Sequence, residues 1–325
     1  MAPQLLNGVV FSCVLRRERG GGMVQIRAAV AGHPVHHSLT PALFMFVADH
    51  LRASGDRLRI ELLKNIDTVD LSEAMTVAYT SNREGSRRAE RGAAAPRREF
   101  WLSLTTPLKH MVPPESAIEL LGDARQIACV NQMLHDGHGW RGAATDGIGL
   151  VDVARENGIQ FPGPEGQVKV GSEPLLCLHG GGSTARSCAS AWAEAGGSIC
   201  WEGGRRALDQ RGPWSNSLIP AEQVAGHLGR RLHIDFDVAP SRPVDSEAAA
   251  HPGPASPADG PDLVVSAAYG LGPVVTTRSE GDHLILDGRW LLAAQHLAAW
   301  RLLFRPGLAE TLPGLSDAVE QLAMM

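Results

Sequence analysis

Short apolar runs alternate with stretches of helical spacing along most of the chain. The segment VQIRAAVAGHP, which begins at Val24, predicts a buried strand that ends in a turn, and residues 41–54 then carry apolar positions at helical spacing. The elements predicted next are a strand, a helix and a strand pair closed by a turn, at residues 100–104, 115–121, 124–134 and 136–137. Strands that alternate with helices are typical of an α/β sheet.

The second half of the chain contains the clearest pattern. Residues 175–204 read LLCLHGGGSTARSCASAWAEAGGSICWEGG, in the order strand, glycine turn, amphipathic helix, Gly-Gly stop and second strand. This order predicts a complete βαβ unit. DLVVSAAYG at residues 262–270 predicts another buried strand, and an apolar helix from Leu291 closes the pattern. The predicted fold class is therefore α/β.

Length and composition narrow the class of protein. A chain of 325 residues is long enough for about two domains. Hydrophobic residues make up 44% and charged residues 20%, which is typical of globular proteins and not of disordered or membrane ones. The 30 Lys and Arg against 35 Asp and Glu give a net charge of -5, so overall charge does not favour nucleic acid or anionic lipid as a partner.

Cysteine spacing and the terminal segment predict the compartment. The odd number of cysteines, without a C-x-x-C pair, predicts free thiols in a reducing cytoplasm and no zinc site; they are Cys13, Cys129, Cys177, Cys188 and Cys200. The apolar run at residues 5–15 precedes its basic cluster, which is the wrong order for a signal peptide. We expect residues 1–22 to be an extension, the arginine-rich residues 83–98 a solvated loop, and the proline-rich residues 239–261 an exposed insertion.

The glycine turn predicts a dinucleotide site. Gly180, Gly182 and Ala185 occupy the three small-residue positions of G-x-G-x-x-A. The first position allows a tight turn, the second lets the backbone approach a pyrophosphate, and the third lets the helix pack closely on the strand. Backbone N–H groups at the following helix start would face the phosphates, although a purely structural turn is the alternative. The predicted cofactor-binding residues of this turn are Gly180, Gly181, Gly182, Ser183, Thr184 and Ala185.

The end of the second strand bears on the choice between NAD and NADP. Glu202 lies where a carboxylate can accept hydrogen bonds from both adenosine ribose hydroxyls and repel a 2′-phosphate, which slightly favours NAD. Arg205 and Arg206 follow closely and could bind that phosphate instead, so NADP stays open. Glu202 could also be an ordinary exposed acid at a strand end.

Further motifs occur in an informative order. They are GHPVHHSLTP from Gly32, SLTTPLKH from Ser103, ACVNQ from Ala128 and RGAATDGIGL from Arg141, followed by the glycine turn and a late helix with a glutamine. In this order the chain resembles the shikimate and quinate/shikimate dehydrogenase family from about Val24 to Leu303.

The resemblance implies a two-domain α/β fold. Residues 23–150 would form a substrate domain and residues 151–288 a doubly wound, Rossmann-like domain, with residues 289–325 as helices that return to the substrate domain. It also implies a cytoplasmic monomer or homodimer that acts on a small hydroxy acid.

The resemblance implies specific catalytic residues. Ser38 and Thr40 match the paired hydroxyls that hold the substrate carboxylate, and Thr105 and Lys109 match the T-x-P-x-K motif. Asp146 matches the aspartate of the T-D-G motif. An ammonium can donate a proton to a ketone oxygen as hydride reaches the carbon, so Lys109 with Asp146 is the expected catalytic pair.

Three more residues are implied to bind substrate. Asn131 matches an asparagine that contacts ring hydroxyls, Gln295 a late glutamine that reaches across the cleft, and Tyr269, more loosely, a tyrosine beside the carboxylate. The alternatives are a helix-capping turn for Ser38 and Thr40, a solvent-facing Gln295, and a structural Tyr269. The histidines near these motifs are expected to make local hydrogen bonds rather than bind metal: His33, His36, His37 and His110.

Three departures from the family pattern concern specificity. Ala144 stands where the family often has asparagine, Gln132 where it often has threonine, and Glu202-Gly203-Gly204 replaces the Asn-Arg-Thr that binds NADP. The expected function is NAD(P)-dependent reduction of 3-dehydroshikimate to shikimate, or of 3-dehydroquinate to quinate, in the shikimate pathway of aromatic amino acid biosynthesis. The alternatives are a binding paralogue without catalysis and a dehydrogenase of a related carbocycle in secondary metabolism.

Overall fold

The computed structural model describes residues 24–86, 97–113, 115–162, 171–237, 260–270 and 274–325. The predicted extension at residues 1–22 lies outside this range. Most of the predicted arginine-rich loop and most of the predicted proline-rich insertion also lie outside the described residues.

The first sheet is built around the strand that begins at Val24. Within the described residues it consists of β1 (Val24–Gly32), β2 (Leu58–Leu62), β3 (Ile66–Asp67), β4 (Arg97–Leu104), β5 (Glu119–Leu120), β6 (Gln132–His135) and β7 (Trp140–Ala143). Their order is β2-β1-β4-β6-β7-β5, with β3 also paired to β1. β1 pairs in parallel with β2, β3 and β4, whereas β6 is antiparallel to β4 and β7. The apolar run of β1 is explained by helices that cover it.

Two helices flank this sheet in sequence. α1 (Thr40–Ala53) confirms the helix predicted at residues 41–54, and its apolar stripe is buried at Leu43, Phe44 and Val47. α2 (Leu71–Ser86) extends into the segment predicted to be an arginine-rich loop. The helix therefore continues about one turn further than the change in composition indicated.

Two predicted elements between β4 and β7 are wrong. Residues 115–121 were predicted to form a helix, but they form bends and the short strand β5, which pairs in parallel with β7. The backbone N–H of Leu121 donates to Gly142 O, so tertiary pairing overrides local propensity here. Residues 122–128 form turns, with Ala128 in the left-handed region at φ 48°, so only the end of the predicted strand pair is extended.

The second sheet confirms the predicted βαβ unit. The described strands are β8 (Leu175–His179), β9 (Ser198–Gly203), β10 (Arg231–Asp235), β11 (Asp262–Ser266), β12 (Thr277–Glu280) and β13 (His283–Leu286), in the order β12-β13-β11-β10-β8-β9. The chain passes from β8 to β9 on one side and then to β10 on the other. In such sheets ligands bind at the carboxyl ends of the strands beside this reversal.

The helices of this half are α3 (Asp146–Glu156), α4 (Ser183–Glu194), the short α5 (Ala221–Val224), α6 (Gly288–Ala299) and α7 (Leu315–Ala323). α6 continues into a π-helical turn at Trp300–Phe304, where Phe304 stacks on Trp101 of β4 with centroids 4.4 Å apart. The helical turn after α6 thus contacts the first sheet, while the division into domains at residues 22, 150 and 288 and the return of residues 289–325 to the substrate domain stay predictions. None of the helices in the described ranges is long and apolar enough to span a membrane.

Two glycines allow α3 to lie close to both α4 and α6. A Cβ placed on Gly149 would lie 2.5 Å from the backbone nitrogen of Gln295, and one on Gly147 would overlap the backbone of Ser187. The Gly147 N–H also donates to Ser187 Oγ at 2.9 Å. The D-G-I-G sequence therefore fixes how closely α3 approaches the helices on either side of it.

We expect Gly149→Ala to destabilise the protein by about 1–3 kcal/mol, because the added methyl group meets backbone atoms of α6 that have no space to move into. Gly139→Ala is the matched control, since no described heavy atom lies within 4 Å of a Cβ at that position. Urea unfolding followed by circular dichroism measures both variants. Equal midpoints for the two variants would contradict this account of the packing.

Candidate active site

An ion pair joins two residues that are distant in sequence. Lys109 lies in the one-turn 3₁₀ helix Leu108–His110 after β4, and Asp146 is the first residue of α3. Lys109 Nζ donates to Asp146 Oδ2 at 2.8 Å, and the two side chains are 15% and 1% exposed. The structure thus brings together the two residues expected to be catalytic.

The surroundings of Lys109 keep its ammonium charged. Burial lowers the pKa of Lys109, but the Asp146 carboxylate, with smaller contributions from Cys129 and Cys188, raises it, and the net pKa lies above the ordinary value. At neutral pH the group is therefore a proton donor that is held in one place. Asp146 lies in the first turn of α3, where the helix dipole and an acidic side chain attract each other.

Asn131 donates a hydrogen bond to the Asp146 carboxylate. Its Nδ2 lies 3.0 Å from Asp146 Oδ1 and 2.7 Å from Gln295 Oε1, and its Oδ1 accepts the backbone N–H of Thr145 at 2.7 Å. Asn131 is 1% exposed and does not line the cleft that Lys109 and Asp146 border. The structure therefore gives Asn131 a positioning contact with Asp146, while the substrate contact expected of it stays a prediction.

Lys109 and Asp146 line a cleft of about 680 Å³. Its walls include strand residues of the first sheet, such as Ser103, and residues that follow strands of the second sheet, such as Phe236 and Tyr269. Its size suits a small molecule with part of a cofactor. The lining includes these residues expected to act on substrate: Ser38, Thr40, Thr105, Lys109, Asp146, Tyr269 and Gln295. It also includes residues 182–185 of the glycine turn. The structure thus places both predicted motif groups around one cavity.

Hydroxyl groups gather at one end of the cleft. Ser38 Oγ accepts the backbone N–H of Thr40 at 3.3 Å, so the hydroxyl caps a turn and also faces the cavity. Tyr269 follows β11 of the second sheet, and its hydroxyl forms hydrogen bonds with the side chain of Ser38 and with the backbone of Leu39. Burial raises the pKa of Tyr269, so its phenol stays neutral and able to donate a hydrogen bond. These groups could hold a carboxylate.

The glycine turn meets the ion pair across the cleft. Gly180 has φ +107°, a backbone conformation that residues other than glycine rarely adopt. α4 starts at Ser183, and no described side chain forms a capping hydrogen bond at its N-terminus. A Cβ on Gly182 would meet no described heavy atom within 4 Å, so backbone is open to the cavity there. Lys109 Nζ lies 3.2 Å from Thr184 Oγ1. Free N–H groups at a helix start are suited to bind phosphate.

Glu202 lies away from the cleft in the described part of the chain. It interacts with the Cys177 thiol on one face of the second sheet, and although the residue is exposed, partial desolvation of its carboxyl group raises its pKa. Arg205 and Arg206 do line the cleft, and Arg205 Nε lies 3.3 Å from Asp237 Oδ1. Asp237 lines the cleft as well, so Arg205 is already paired and Arg206 is the cation beside the glycine turn for which no ion pair is found among the described residues.

Sequence reasoning missed two interactions around the cleft. Ser103 Oγ donates to Gln132 Oε1 at 2.7 Å, and both residues line the cavity as partners in the β4–β6 register. Arg186 of α4 donates to the carbonyls of Ile127 and Ala128 at 2.8 and 2.9 Å. The strand register would have revealed the first pair, whereas no local signal marks Arg186.

Comparison with known proteins gives partial sequence matches. No protein-family model matches the chain. It is 32% identical over 171 residues to the shikimate dehydrogenase (NADP+) of Xanthomonas campestris, covering 52% of this chain and 50% of that protein. It is 29% identical over 175 residues to the enzyme of the same name from Thermus thermophilus. The chain spans about half the length of the curated relatives it matches.

Comparison of structures covers nearly the whole chain. The shikimate 5-dehydrogenase of Thermus thermophilus in complex with shikimate matches with a TM-score of 0.55 and 25% identity, over 91% of this chain and 97% of that one. A quinate dehydrogenase from Corynebacterium glutamicum in complex with NAD matches with a TM-score of 0.57 and 17% identity, over 92% of this chain and 98% of that one. The resemblance and the α/β fold drawn from the motifs are confirmed. The slight preference for NAD gains no support from relatives named for NADP+.

Replacing the carboxylate should lower the pKa of Lys109. In Asp146→Asn burial remains but the negative charge is lost, so we expect the Lys109 pKa to fall below its ordinary value. The chain has few lysines, Lys64, Lys109 and Lys169, so ¹⁵N NMR of labelled lysine side chains can follow each one through a pH titration. Asp136→Asn, in the β6–β7 turn, is the control. An unchanged Lys109 pKa in Asp146→Asn would contradict the proposed coupling.

Proposed function

We propose that this chain, a relative of the shikimate dehydrogenases in sequence and fold, catalyses the NAD(P)-dependent, reversible reduction of 3-dehydroshikimate to shikimate. One observation carries the proposal: the charged Lys109–Asp146 pair and the uncapped start of α4 line the same cleft. A proton donor and a phosphate-binding helix end within one cavity suit hydride transfer to a ketone.

The residues around the glycine turn suit a dinucleotide. The pyrophosphate would be held by backbone N–H groups at the start of α4, where Gly182 leaves the backbone open. When bound, a reduced nicotinamide supplies the hydride. The reversal point of the second sheet, between β8 and β10, supports the same location, because Gly182 and Phe236 both line the cleft there.

The chain's own residues would orient the substrate and move the proton. Ser38, Thr40 and Tyr269 offer hydroxyls to a carboxylate, and the Gln295 amide offers a contact to ring hydroxyls. Lys109 then donates its proton to the ketone oxygen and recovers it in the reverse direction. Asp146 keeps the ammonium charged and in place, and Asn131 in turn keeps Asp146 in place.

A second substrate, 3-dehydroquinate, is favoured by two positions. Thr40 matches family members that also take quinate, and the Ser103–Gln132 pair places an amide group at the cavity wall. Quinate carries an additional ring hydroxyl, which needs such a polar partner in a buried site. Shikimate and quinate therefore have to be compared directly.

A spectrophotometric screen tests the proposed activity. Purified protein is mixed with shikimate, quinate or amino-substituted analogues and with NAD+ or NADP+, and formation of the reduced nicotinamide is followed. The proposal expects turnover with shikimate or quinate. Turnover with an analogue alone would favour a related carbocycle. Binding of ligand without turnover in every combination would favour a binding protein and contradict the catalytic proposal.

Removal of the proton donor should abolish turnover. We expect Lys109→Ala to lower kcat by about 10²–10⁴-fold or more, because no other described ammonium lines the cleft. Cofactor affinity, measured by fluorescence titration, should stay nearly intact. Lys64→Ala, at an exposed position, is the matched control and should keep full activity. Substantial residual turnover in Lys109→Ala would remove this lysine from the mechanism.

We further propose that the cleft favours NADP, since Arg206 lines it and Glu202 does not. A guanidinium that binds the 2′-phosphate contributes about 1.5–3 kcal/mol, so Arg206→Ala should raise the Kd for NADP+ by about 10–100-fold and leave the Kd for NAD+ nearly unchanged. Arg211→Ala is the control, because its side chain is 92% exposed and pairs with Asp209. An equal loss of affinity for both cofactors in Arg206→Ala would contradict this assignment.

A further inference from the structure

Cys177, Glu202 and His233 converge on the second sheet outside the cleft. One ligand atom from each, the Cys177 sulfur, a Glu202 carboxylate oxygen and a His233 ring nitrogen, lie within 4.8 Å of one another. They come from β8, β9 and β10, which are adjacent strands. Cys177 and His233 are partners in the parallel register, so their side chains leave the sheet on the same face. We call these residues the Cys-Glu-His cluster.

His233 carries an unexplained polar group. The residue is 7% exposed, and its Nε2 has no hydrogen-bond partner among the described residues. A buried ring nitrogen without a hydrogen-bond partner destabilises the folded protein, so such an atom calls for a ligand. Burial also lowers the pKa of His233 to about 4, so the imidazole is neutral at physiological pH and has a lone pair available.

Two residues of the cluster are buried and one is exposed to solvent. Cys177 is fully buried among apolar neighbours that include Leu175 and Ile219, whereas Glu202 is exposed. An ion could therefore enter along the Glu202 side. None of the three residues lines the cleft, so the cluster is separate from the proposed catalytic site.

We propose that the Cys-Glu-His cluster is a binding site for one zinc ion. Thiolate, imidazole and carboxylate are the three side-chain ligand types that zinc takes, and a tetrahedral ion would keep its fourth position for water on the exposed side. The sequence predicted no zinc site because it lacks paired cysteines, but here the ligands are brought together by strand register.

Geometry and charge both suit this ion. Zinc bonds of about 2.0–2.3 Å place tetrahedral ligand atoms roughly 3.3–3.6 Å apart, so the ligand atoms have to approach by at most about 1.5 Å. A Cys177 thiolate and the Glu202 carboxylate together neutralise a divalent cation, and the thiol proton is released to solvent on binding. Burial and the nearby Glu202 carboxylate raise the pKa of the Cys177 thiol, so the thiol keeps its proton until an ion binds and displaces it.

The test uses full-length protein without a histidine tag, stripped with EDTA and then loaded with ZnCl₂ or CoCl₂. After desalting, elemental analysis should find one metal ion per chain. A saturating excess of zinc should raise the Tm by about 5 °C. Cobalt should give a thiolate-to-cobalt charge-transfer absorption in the near ultraviolet, which reports a cysteine ligand directly.

Matched variants separate this site from other metal-binding groups. Cys177→Ser should lose the charge-transfer absorption and His233→Asn should weaken zinc binding at least about 10-fold. Cys200→Ser, on the same sheet face but outside the cluster, and His138→Asn, at the surface, should keep both signals. Circular dichroism checks that each variant is folded. Less than stoichiometric metal in the parent chain, or an unchanged cobalt spectrum in Cys177→Ser, would overturn the proposal.

Discussion

The structure of the site depends on holding a charged lysine and a charged aspartate together where little water reaches them. A buried charge is costly unless it is paired and its other hydrogen-bonding positions are filled. Lys109 and Asp146 meet at 2.8 Å, and the second carboxylate oxygen of Asp146 accepts from Asn131. The end of β4, the segment before β6 and the start of α3 must therefore come together in one arrangement.

That arrangement also links the two sheets. Arg186 of α4 donates hydrogen bonds to the carbonyls of Ile127 and Ala128, in the turns that precede Asn131. Thr184 of the same helix lies within hydrogen-bond distance of Lys109. The helix that would bind the cofactor phosphates is thus fixed against the residue that would donate the proton. Such fixed placement of reacting groups is the main contribution that a protein can make to hydride transfer.

Periodicity and motifs predicted the parts of the structure that are encoded locally. The helix α1 and the βαβ unit of β8, α4 and β9 follow from apolar spacing and from the glycine turn. The helix predicted at residues 115–121 was wrong because pairing with β7 determines that segment. Lys109 and Asp146 were identified by motif order. The positions of Glu202 and of the Ser103–Gln132 pair depend on strand register, which a single sequence does not reveal.

Amine rescue of Lys109→Ala tests most directly whether an ammonium at this position transfers the proton. The truncation leaves space beside Asp146, and small primary amines added to the assay can occupy it. The account predicts that turnover returns in proportion to amine concentration, that it depends on amine pKa, and that propanol of similar size has no effect. Turnover that stays absent with every amine, or that returns equally with propanol, would contradict the central claim.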